Sequence, residues 1–440
     1  MIYANYLESL TNILGKTTPP LPEKHIADAV DYIHSISDKL QQAKERFGSP
    51  LYVIDEQGLL THAELFMSAF KECFGKFQPF FAMKSNNHPY IIKKLSENGY
   101  GIDVSSGAEL LTALNAGADK LVFSGPAKTS KELSLAVENS DKVTVLIDSL
   151  NELEKLSAEA DRQNRKIRAG VRITTQNNPL WRKFGIAPDA LPSFMNKAAE
   201  KRNIDLCGLQ FHSSWNLTPD NHIRLIETIG HAISTLSAEQ RERIKFLDMG
   251  GGYWVEDGEW MLADTAQEIK VAKHLTDIDT DPLDHRYLPA TDIRTYAKAL
   301  SDAFNRHIRP LTDCDVYAEP GRFVAHHSMH LLLSVEDIKE PDIAVTDGAT
   351  NMLGWERYEM DYFPVVNITA PSKTERPMMV LGSLCTPHDV WGAAYHGQSM
   401  SIGDILIIPY QGAYTYSLRQ NFIKDIPESI VFRGSELFRA

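Results

Sequence analysis

Several polar groups stand where short, apolar, β-rich runs of the sequence end. Lys84, His212 and Glu319 each follow such a run, as do three glycines at 250–252 and the arginine Arg322. A lysine at an apolar strand end loses its proton more readily and can form a Schiff base with an aldehyde. Consecutive glycines expose backbone N–H groups to a phosphate. Together with an acid for a ring nitrogen, these groups predict a site for pyridoxal phosphate.

These groups must be brought together by the elements that precede them. Eight β-rich runs alternate with helical patterns, and the runs are nearly continuously apolar, as parallel strands buried on both faces should be. We therefore predict an α/β fold with an eight-stranded (β/α)8 barrel of the TIM type. An open doubly wound sheet is the structural alternative. The predicted strands lie at 79–83, 101–104, 121–124, 143–147, 167–173, 206–211, 245–249 and 315–318.

In such a barrel, catalytic groups stand at the carboxyl ends of the strands. That rule adds Asp103 and Arg172 to the same rim. The loops after the seventh and eighth strands are the usual phosphate site of a barrel, and here they carry the glycines 250–252 and Arg322. Taken singly, each group could be a solvated charge, a structural histidine or a turn. Those explanations do not account for the shared rim.

The flanking regions predict a second domain. Residues 1–55 contain an amphipathic helix, with Ile26, Val30 and Ile33 on one face, and a strand at 51–54. We predict that this region joins a β domain at 326–440, which leaves the barrel at 56–325. The acidic stretch 256–291 is predicted to be an insertion over one face of the barrel. Strands of the β domain are predicted at 329–335, 343–346, 364–368, 378–381, 405–408 and 430–432.

Composition limits the class of protein. The 440 residues carry 45 basic and 58 acidic side chains, and the resulting net charge of −13 argues against a nucleic-acid partner. No stretch approaches the ~20 apolar residues that span a bilayer, so no membrane partner is predicted. The four cysteines are far apart, which predicts reduced thiols rather than disulfides or a zinc site. We expect a cytoplasmic enzyme without a metal.

The motifs, in their order, resemble the barrel-type (fold-type III) pyridoxal-phosphate-dependent decarboxylases, the family of diaminopimelate, ornithine and arginine decarboxylases. The resemblance covers residues 50–435. It rests on the segments Ala-Met-Lys-Ser-Asn at 82–86, Ile-Asp-Val-Ser-Ser at 102–106, the glycines at 250–252, Ala-Glu-Pro-Gly-Arg at 318–322, Leu-Cys-Thr-Pro-His-Asp at 384–389 and Gly-Ala-Tyr at 412–414.

The resemblance implies a Schiff base on Lys84 and a head-to-tail homodimer, in which each subunit supplies Cys385 to its partner's site. It implies a small-molecule amino-acid substrate. The catalytic residues would be Lys84, Cys385, His212 and Glu319. The cofactor-binding residues would be Lys84, Asp103, Arg172, His212, Gly250, Gly251, Gly252, Glu319, Gly321, Arg322 and Tyr414.

The chain departs from the family pattern around the substrate. Trp215 replaces the end of a His-x-Gly-Ser motif, and Thr386 replaces the acid that often reads a distal amine. Diaminopimelate decarboxylases have an arginine where this chain has Trp355, with Arg357 nearby. Asp347 and Asp389 complete the predicted substrate residues.

We predict a decarboxylase of an amino acid or an amino-acid-derived intermediate: a diamino acid, a diaminopimelate-like compound, or a siderophore or antibiotic precursor. A racemase is the alternative enzyme, but racemases of similar architecture place an arginine at the ring nitrogen, where this chain has Glu319. A decayed regulatory homologue is the alternative without activity.

Overall fold

The chain divides into two units that are described separately. The computed structural model describes residues 2–176, 180–276, 279–354 and 361–440. The barrel unit consists of Leu60–Trp254 and Thr291–Val324. The sheet unit consists of Met1–Leu59, Val255–Ala290 and Ala325–Ala440. The acidic stretch predicted as an insertion thus belongs almost entirely to the sheet unit.

The barrel unit contains a closed barrel of eight parallel strands. The ring is complete because β11 pairs with both β2 and β8. The predicted barrel is confirmed, and all eight predicted strands are present within a few residues of their predicted bounds. In chain order the strands are β2 (Phe77–Ala82), β3 (Gly101–Val104), β4 (Leu121–Phe123), β5 (Val143–Ile147), β6 (Ile167–Arg172), β7 (Ile204–Gln210), β8 (Phe246–Asp248) and β11 (Asp315–Ala318).

Helices follow most of these strands, and several begin at a capping side chain. The Ser106 hydroxyl accepts a hydrogen bond from Glu109 N at 3.2 Å, and Ser149 does the same for Glu152 N. Thr129 and Glu132 form a reciprocal capping box. The helices that lie in the barrel unit are α5 (Pro89–Glu97), α6 (Gly107–Asn115), α7 (Ser130–Glu138), α8 (Leu150–Gln163), α9 (Leu191–Ala199), α10 (Asp220–Ser234), α11 (Ala238–Glu242) and α13 (Ile293–His307); α4 (Glu56–Cys73) and α14 (Arg322–Ala325) cross the unit boundaries.

The sheet unit is built on nine strands in the order β13-β15-β16-β14-β17-β12-β1-β18-β19. An additional pairing of β12 with β13 closes six of them into a ring. The mainly-β second domain is confirmed, although β16 and β19 were not predicted. The strands are β1 (Leu51–Asp55), β12 (Met329–Glu340), β13 (Ile343–Thr346), β14 (Val366–Asn367), β15 (Glu375–Leu381), β16 (Val390–His396), β17 (Ile405–Ile408), β18 (Ser429–Arg433) and β19 (Glu436–Arg439).

The early strand β1 lies inside this sheet. It pairs antiparallel with β12 and parallel with β18. Val30 and Ile33 of one helix and Leu40 of the next pack against the sheet in one apolar core. The remaining elements of the sheet unit are α1 (Ile2–Leu14), α2 (Glu23–Ser35), α3 (Ser37–Phe47), α12 (Gln267–Leu275) and the hairpin-like pair β9 (Glu259–Leu262) and β10 (His285–Leu288). In the part of the chain that the structure describes, no helix combines the length and hydropathy needed to cross a bilayer.

Candidate active site

The barrel gathers the predicted polar groups at one end. Because all eight strands are parallel, residues at their carboxyl ends share a rim. Lys84 follows β2, His212 follows β7 and Glu319 follows β11. Asp103 lies in β3 and Arg172 ends β6. The rim predicted from the sequence is therefore present.

Lys84 extends from a single 3₁₀ turn, Met83–Ser85, directly after β2. Its side chain is exposed, whereas Met83 and Ser85 are buried. The N–H of Ala82 donates to the carbonyl of Pro320 at 3.1 Å, which joins this strand end to the loop that carries Glu319. Burial raises the pKa of Glu319, and the Lys84 charge partly opposes that rise, which places the ammonium within electrostatic reach of that carboxyl.

Glu319 and His212 form a buried pair in the barrel. Only 2% of Glu319 is exposed, and its Oε2 lies 3.2 Å from Nδ1 of His212. The Gln210 amide donates to Oε1 of Glu319 at 3.2 Å. Burial lowers the pKa of His212 well below its usual range, and the charges of Lys84 and Arg172 lower it further. The imidazole is consequently neutral near pH 7, with a flat face suited to stacking on an aromatic ring.

The three glycines at 250–252 are required by the backbone. Gly250 and Gly252 have φ angles of +67° and +92°, which side chains rarely adopt. A Cβ on Gly251 would lie 2.6 Å from the carbonyl oxygen of Glu319. The N–H of Gly250 donates to Asp248 at 2.9 Å and that of Gly251 donates to Nδ1 of His212 at 3.1 Å.

Two of the three N–H groups of the glycine turn, those of Gly250 and Gly251, therefore already donate hydrogen bonds within the protein. Among the described residues, the N–H of Gly252 has no hydrogen-bond acceptor. Arg322 follows the next barrel strand, with its guanidinium carbon 4.4 Å from the centre of the Trp254 ring, two residues after the turn. The N–H of Gly252 and the guanidinium of Arg322 are therefore the candidate donors to an anion at these two loops.

Asp103 and Arg172 complete the barrel lumen. Oδ1 of Asp103 accepts a hydrogen bond from the Ser124 hydroxyl at 2.5 Å, whereas Oδ2 has no hydrogen-bond partner among the described residues. Burial and the charge of Glu319 raise the pKa of Asp103 to about 7. The Arg172 guanidinium lies 4.4 Å above the Phe184 ring and is only 7% exposed.

Trp215 stands at the same rim in an unusual backbone conformation. Its φ of +59° is rare for a bulky residue and marks stored strain. The indole is 53% exposed, and its ring centre lies 5.3 Å from that of Trp254. Trp215 and Trp254 therefore form an aromatic surface that runs from the glycine turn at 250–252 toward solvent.

In the sheet unit, the predicted residues cluster around one loop at 382–389. Cys385 is exposed at its tip and Thr386 is half-buried. The Asp389 carboxylate is buried and accepts hydrogen bonds from the N–H and hydroxyl of Thr350 at 2.8 and 2.9 Å and from Leu384 N at 2.6 Å. The carboxylate of Asp389, which was predicted to contact the substrate, thus binds backbone groups on both sides and fixes the Cys385 loop.

The remaining predicted residues are the substrate residues Asp347, Trp355 and Arg357 and the cofactor-binding residue Tyr414. Asp347 accepts a hydrogen bond from Ser334 N at 2.8 Å, and its carbonyl accepts one from the Ser383 hydroxyl. Tyr414 is half-buried and has a φ of +60°. Trp355 and Arg357 lie outside the described residues.

Sequence reasoning missed two residues of the barrel site. Gln210 and Asp248 are both fully buried at the ends of β7 and β8. The Gln210 amide donates to Glu319 at 3.2 Å, and burial together with the charge of Glu319 raises the pKa of Asp248 well above its usual range. A charged residue at the end of an otherwise apolar strand was the signal available for Asp248.

Comparison with known proteins places this site in a family. Residues 61–326 match the family described as pyridoxal-dependent decarboxylase, pyridoxal binding domain. The chain belongs to the pyridoxal-dependent decarboxylases. It is therefore a carboxy-lyase that uses pyridoxal phosphate, which confirms the predicted family, reaction class and cofactor.

Relatives of this decarboxylase match along almost their whole length. A diaminopimelate decarboxylase of Methanothermobacter thermautotrophicus is 25% identical, over 91% of this chain and 90% of that protein. The 2-[(L-alanin-3-ylcarbamoyl)methyl]-2-hydroxybutanedioate decarboxylase of Staphylococcus aureus is 24% identical, over 83% and 89%. The solved diaminopimelate decarboxylase structure from M. jannaschi has a TM-score of 0.76 at 23% identity, over 91% and 90%, and shows the shared fold.

The groups of this decarboxylase fit its cofactor. Lys84 would offer its amine to the aldehyde, and Gly252 and Arg322 would offer donors to the phosphate. Two buried carboxyl oxygens, Oδ2 of Asp103 and Oδ2 of Asp248, receive no hydrogen bond from the described residues. These buried carboxyl oxygens lack a hydrogen-bond donor from the described part of the chain. A ligand with a protonated ring nitrogen, such as pyridoxal phosphate, would supply one.

Proposed function

We propose that this chain decarboxylates an amino acid whose distal nitrogen is acylated rather than free, using pyridoxal phosphate held on Lys84. The observation that carries the assignment of the site is the convergence of Lys84, His212 and Glu319 on one barrel rim beside the glycine turn. Bound pyridoxal phosphate supplies the electron sink that accepts the electron pair left by the departing CO2.

The roles of the barrel residues follow from their positions. Lys84 would hold the cofactor through its amine. Glu319, paired with His212 at 3.2 Å, would hold a proton on the ring nitrogen, and His212 would support the ring by its flat face. The N–H of Gly252 and the guanidinium of Arg322 orient the phosphate. The barrel residues would fix the orientation of the substrate carboxylate relative to the bound cofactor, which lowers the entropic cost of the reaction.

Return of a proton to the α-carbon is assigned to Cys385 or Lys84. Cys385 is an exposed thiol at the tip of a loop that Asp389 holds in place. We propose that the thiol serves the partner's barrel in a head-to-tail homodimer, and that the enzyme is cytoplasmic. The four free cysteines suit a reducing compartment.

The shared site has a decisive test. Lys84→Ala and Cys385→Ala are each expected to be inactive alone. In the proposed dimer, the Lys84 and the Cys385 of one active site belong to different subunits. Mixing them should restore about one quarter of wild-type activity, since half of the dimers are hybrids and each hybrid has one intact site. No recovery after verified subunit exchange contradicts the head-to-tail arrangement.

The substrate class is proposed from the loop around Cys385. Thr386 carries no charge where an acid would pair with a distal ammonium. The exposed indole of Trp215 offers an apolar wall at the barrel rim. The name of the Staphylococcus aureus relative describes an alanine unit attached through its third carbon to a carbamoyl group. An acylated diamino acid of this kind brings no distal charge and suits both residues.

The test is CO2 release from a substrate panel. The panel contains L- and D-ornithine, L- and D-lysine, meso-diaminopimelate, and 2,3-diaminopropionate acylated on its 3-amino group by a carboxylic acid. We expect the acylated compound to have the highest kcat/KM. Thr386→Glu should shift selectivity toward free diamino acids, whereas Thr386→Ser, the matched control, should not. Preference for a free diamino acid by the wild type contradicts the proposed class.

A further inference from the structure

His222 is a fully buried histidine that the proposed function does not use. It lies in the first turn of α10, and both of its ring nitrogens have partners. Nδ1 lies 2.7 Å from the hydroxyl oxygen of Tyr296, a buried residue of α13. Nε2 lies 3.2 Å from the carbonyl oxygen of Met249, the residue directly before the glycine turn. The imidazole therefore connects α10 and α13 to the loop that follows β8.

The two partners settle which ring nitrogen carries the hydrogen. A carbonyl oxygen can only accept a hydrogen bond, so Nε2 must donate to Met249. Burial lowers the pKa of His222 to about 3, which keeps the ring neutral near pH 7. A neutral imidazole has a single N–H, so Nδ1 accepts from the hydroxyl of Tyr296. The hydrogen bonds thus run in one direction, from Tyr296 through His222 to Met249.

The same ring also contacts the residue that follows the glycine turn. Tyr253 is only 1% exposed, and its ring stacks on that of His222 with 5.0 Å between the ring centres and 10° between the ring planes. Met249 and Tyr253 are the two residues that flank the glycines at 250–252. One imidazole therefore binds a backbone carbonyl on one side of the turn and a side chain on the other.

Contacts on both flanks matter because glycine has more backbone freedom than any other residue, and ordering it costs conformational entropy. Two of the three glycines take left-handed φ angles. The N–H of Met249 donates to the Tyr317 carbonyl at 2.9 Å, so both backbone polar groups of Met249 are bound. With its flanks held, the turn keeps the N–H of Gly252 in position before an anion arrives, which lowers the entropic cost of binding.

We propose that His222 is a positioning residue for the cofactor phosphate: by holding Met249 and Tyr253, it fixes the turn whose Gly252 N–H donates to that phosphate. The inference rests on the phosphate role proposed above for Gly252. His222 touches neither substrate nor cofactor in this assignment; it acts through the backbone of the turn. A histidine that served only the core would affect every ligand of the barrel alike, whereas a positioning residue of the turn affects only ligands that carry a phosphate.

The test compares two ligands that differ in the phosphate, pyridoxal phosphate and pyridoxal. Binding of each to the full-length protein freed of cofactor is followed by absorbance. His222→Phe keeps a flat ring beside Tyr253 but has no donor for the Met249 carbonyl. Its affinity for pyridoxal phosphate should fall about tenfold, the size of one lost hydrogen bond, and its affinity for pyridoxal should not change. His231→Phe, at an exposed position of the same helix, is the control and should match the wild type for both ligands.

His222→Gln provides a second variant in case His222→Phe does not fold. Its amide can still donate to the Met249 carbonyl, but it places no ring against Tyr253. We expect a smaller loss of affinity, again confined to pyridoxal phosphate, and a smaller displacement of the ³¹P resonance of the bound cofactor than in His222→Phe. Equal losses for the two ligands, or no loss for either, in the variants that fold would overturn the proposal. A wild-type protein that binds both ligands equally well would instead refute the phosphate role of Gly252 itself.

Discussion

Oε2 of Glu319 lies 3.2 Å from Nδ1 of His212, and the same nitrogen accepts the N–H of Gly251 at 3.1 Å. One carboxyl, one imidazole and one backbone turn are therefore joined in a single buried array. The array links the ends of β7, β8 and β11, so a shift in any one strand end moves the groups proposed to hold the ring and the phosphate.

Replacing Glu319 by Gln should lower decarboxylation far more than it lowers cofactor binding. The amide cannot hold a proton on the ring nitrogen as a carboxylate does, so stabilisation of the developing charge is lost. We expect kcat to fall roughly 10²- to 10³-fold, with pyridoxal phosphate still visible by absorbance. Glu97→Gln, an exposed control on α5, should match the wild type. Unchanged turnover in Glu319→Gln refutes its assigned role.

The stability of the cofactor-free protein should depend on Asp103. Burial raises the pKa of Asp103 to about 7 in the folded protein. An acid with a raised folded-state pKa stabilises the fold below its unfolded pKa, and this contribution is lost as the pH rises through 7. The free energy of unfolding of Asp103→Asn, relative to wild type, should therefore increase between about pH 5 and about pH 8. Urea titration measures it, and a pH-independent difference would show that Asp103 titrates normally.

Asp389 should support the Cys385 loop. Removal of its carboxylate in Asp389→Ala leaves the N–H groups of Thr350 and Leu384 without their acceptor. We expect a loss of about 1–3 kcal/mol in the free energy of unfolding, together with slower turnover and a changed alkylation rate of the Cys385 thiol. Asp425→Ala, at an exposed position, is the control. An Asp389→Ala protein with wild-type stability and thiol reactivity would contradict this assignment.

A substitution of Trp215 should change substrate selectivity with little effect on the free energy of unfolding. Trp215→Gly relieves the strain of its positive φ, worth about 1–3 kcal/mol, but removes the ring contact with Trp254, worth about 0.5–1.5 kcal/mol. Unfolding should therefore change little, whereas kcat/KM for an acylated diamino acid should fall relative to that for lysine. An equal effect on both substrates would exclude Trp215 from substrate selection.

The barrel could be predicted from sequence because its strands are apolar on both faces. All five residues of β5 are buried, for example, which produces a continuous run that periodicity detects. The missed strand β16 has mixed burial and contains Gly392 and two alanines, so its pattern is weak. The strand β19 has four residues, two of them exposed.

Residues of the candidate site could be predicted where they stand at a strand end and have a side chain, or lack one, for a specific chemical reason. Lys84, Glu319 and the glycines met both conditions. Asp248 did not, because the sequence cannot show that its carboxyl is fully buried and within electrostatic reach of Glu319 at the end of another strand. The sequence likewise did not show that the Asp389 carboxylate turns inward to Thr350.

The central claim, that Lys84 carries the cofactor, is tested most directly by borohydride reduction of the holoenzyme and peptide mass spectrometry. We expect one pyridoxyl group, on the peptide that contains Lys84. Lys128 is a built-in control, because it is buried and its ammonium is bound to Glu152 and to the Leu146 carbonyl. A pyridoxyl group on Lys128, or on any lysine other than Lys84, would contradict the account.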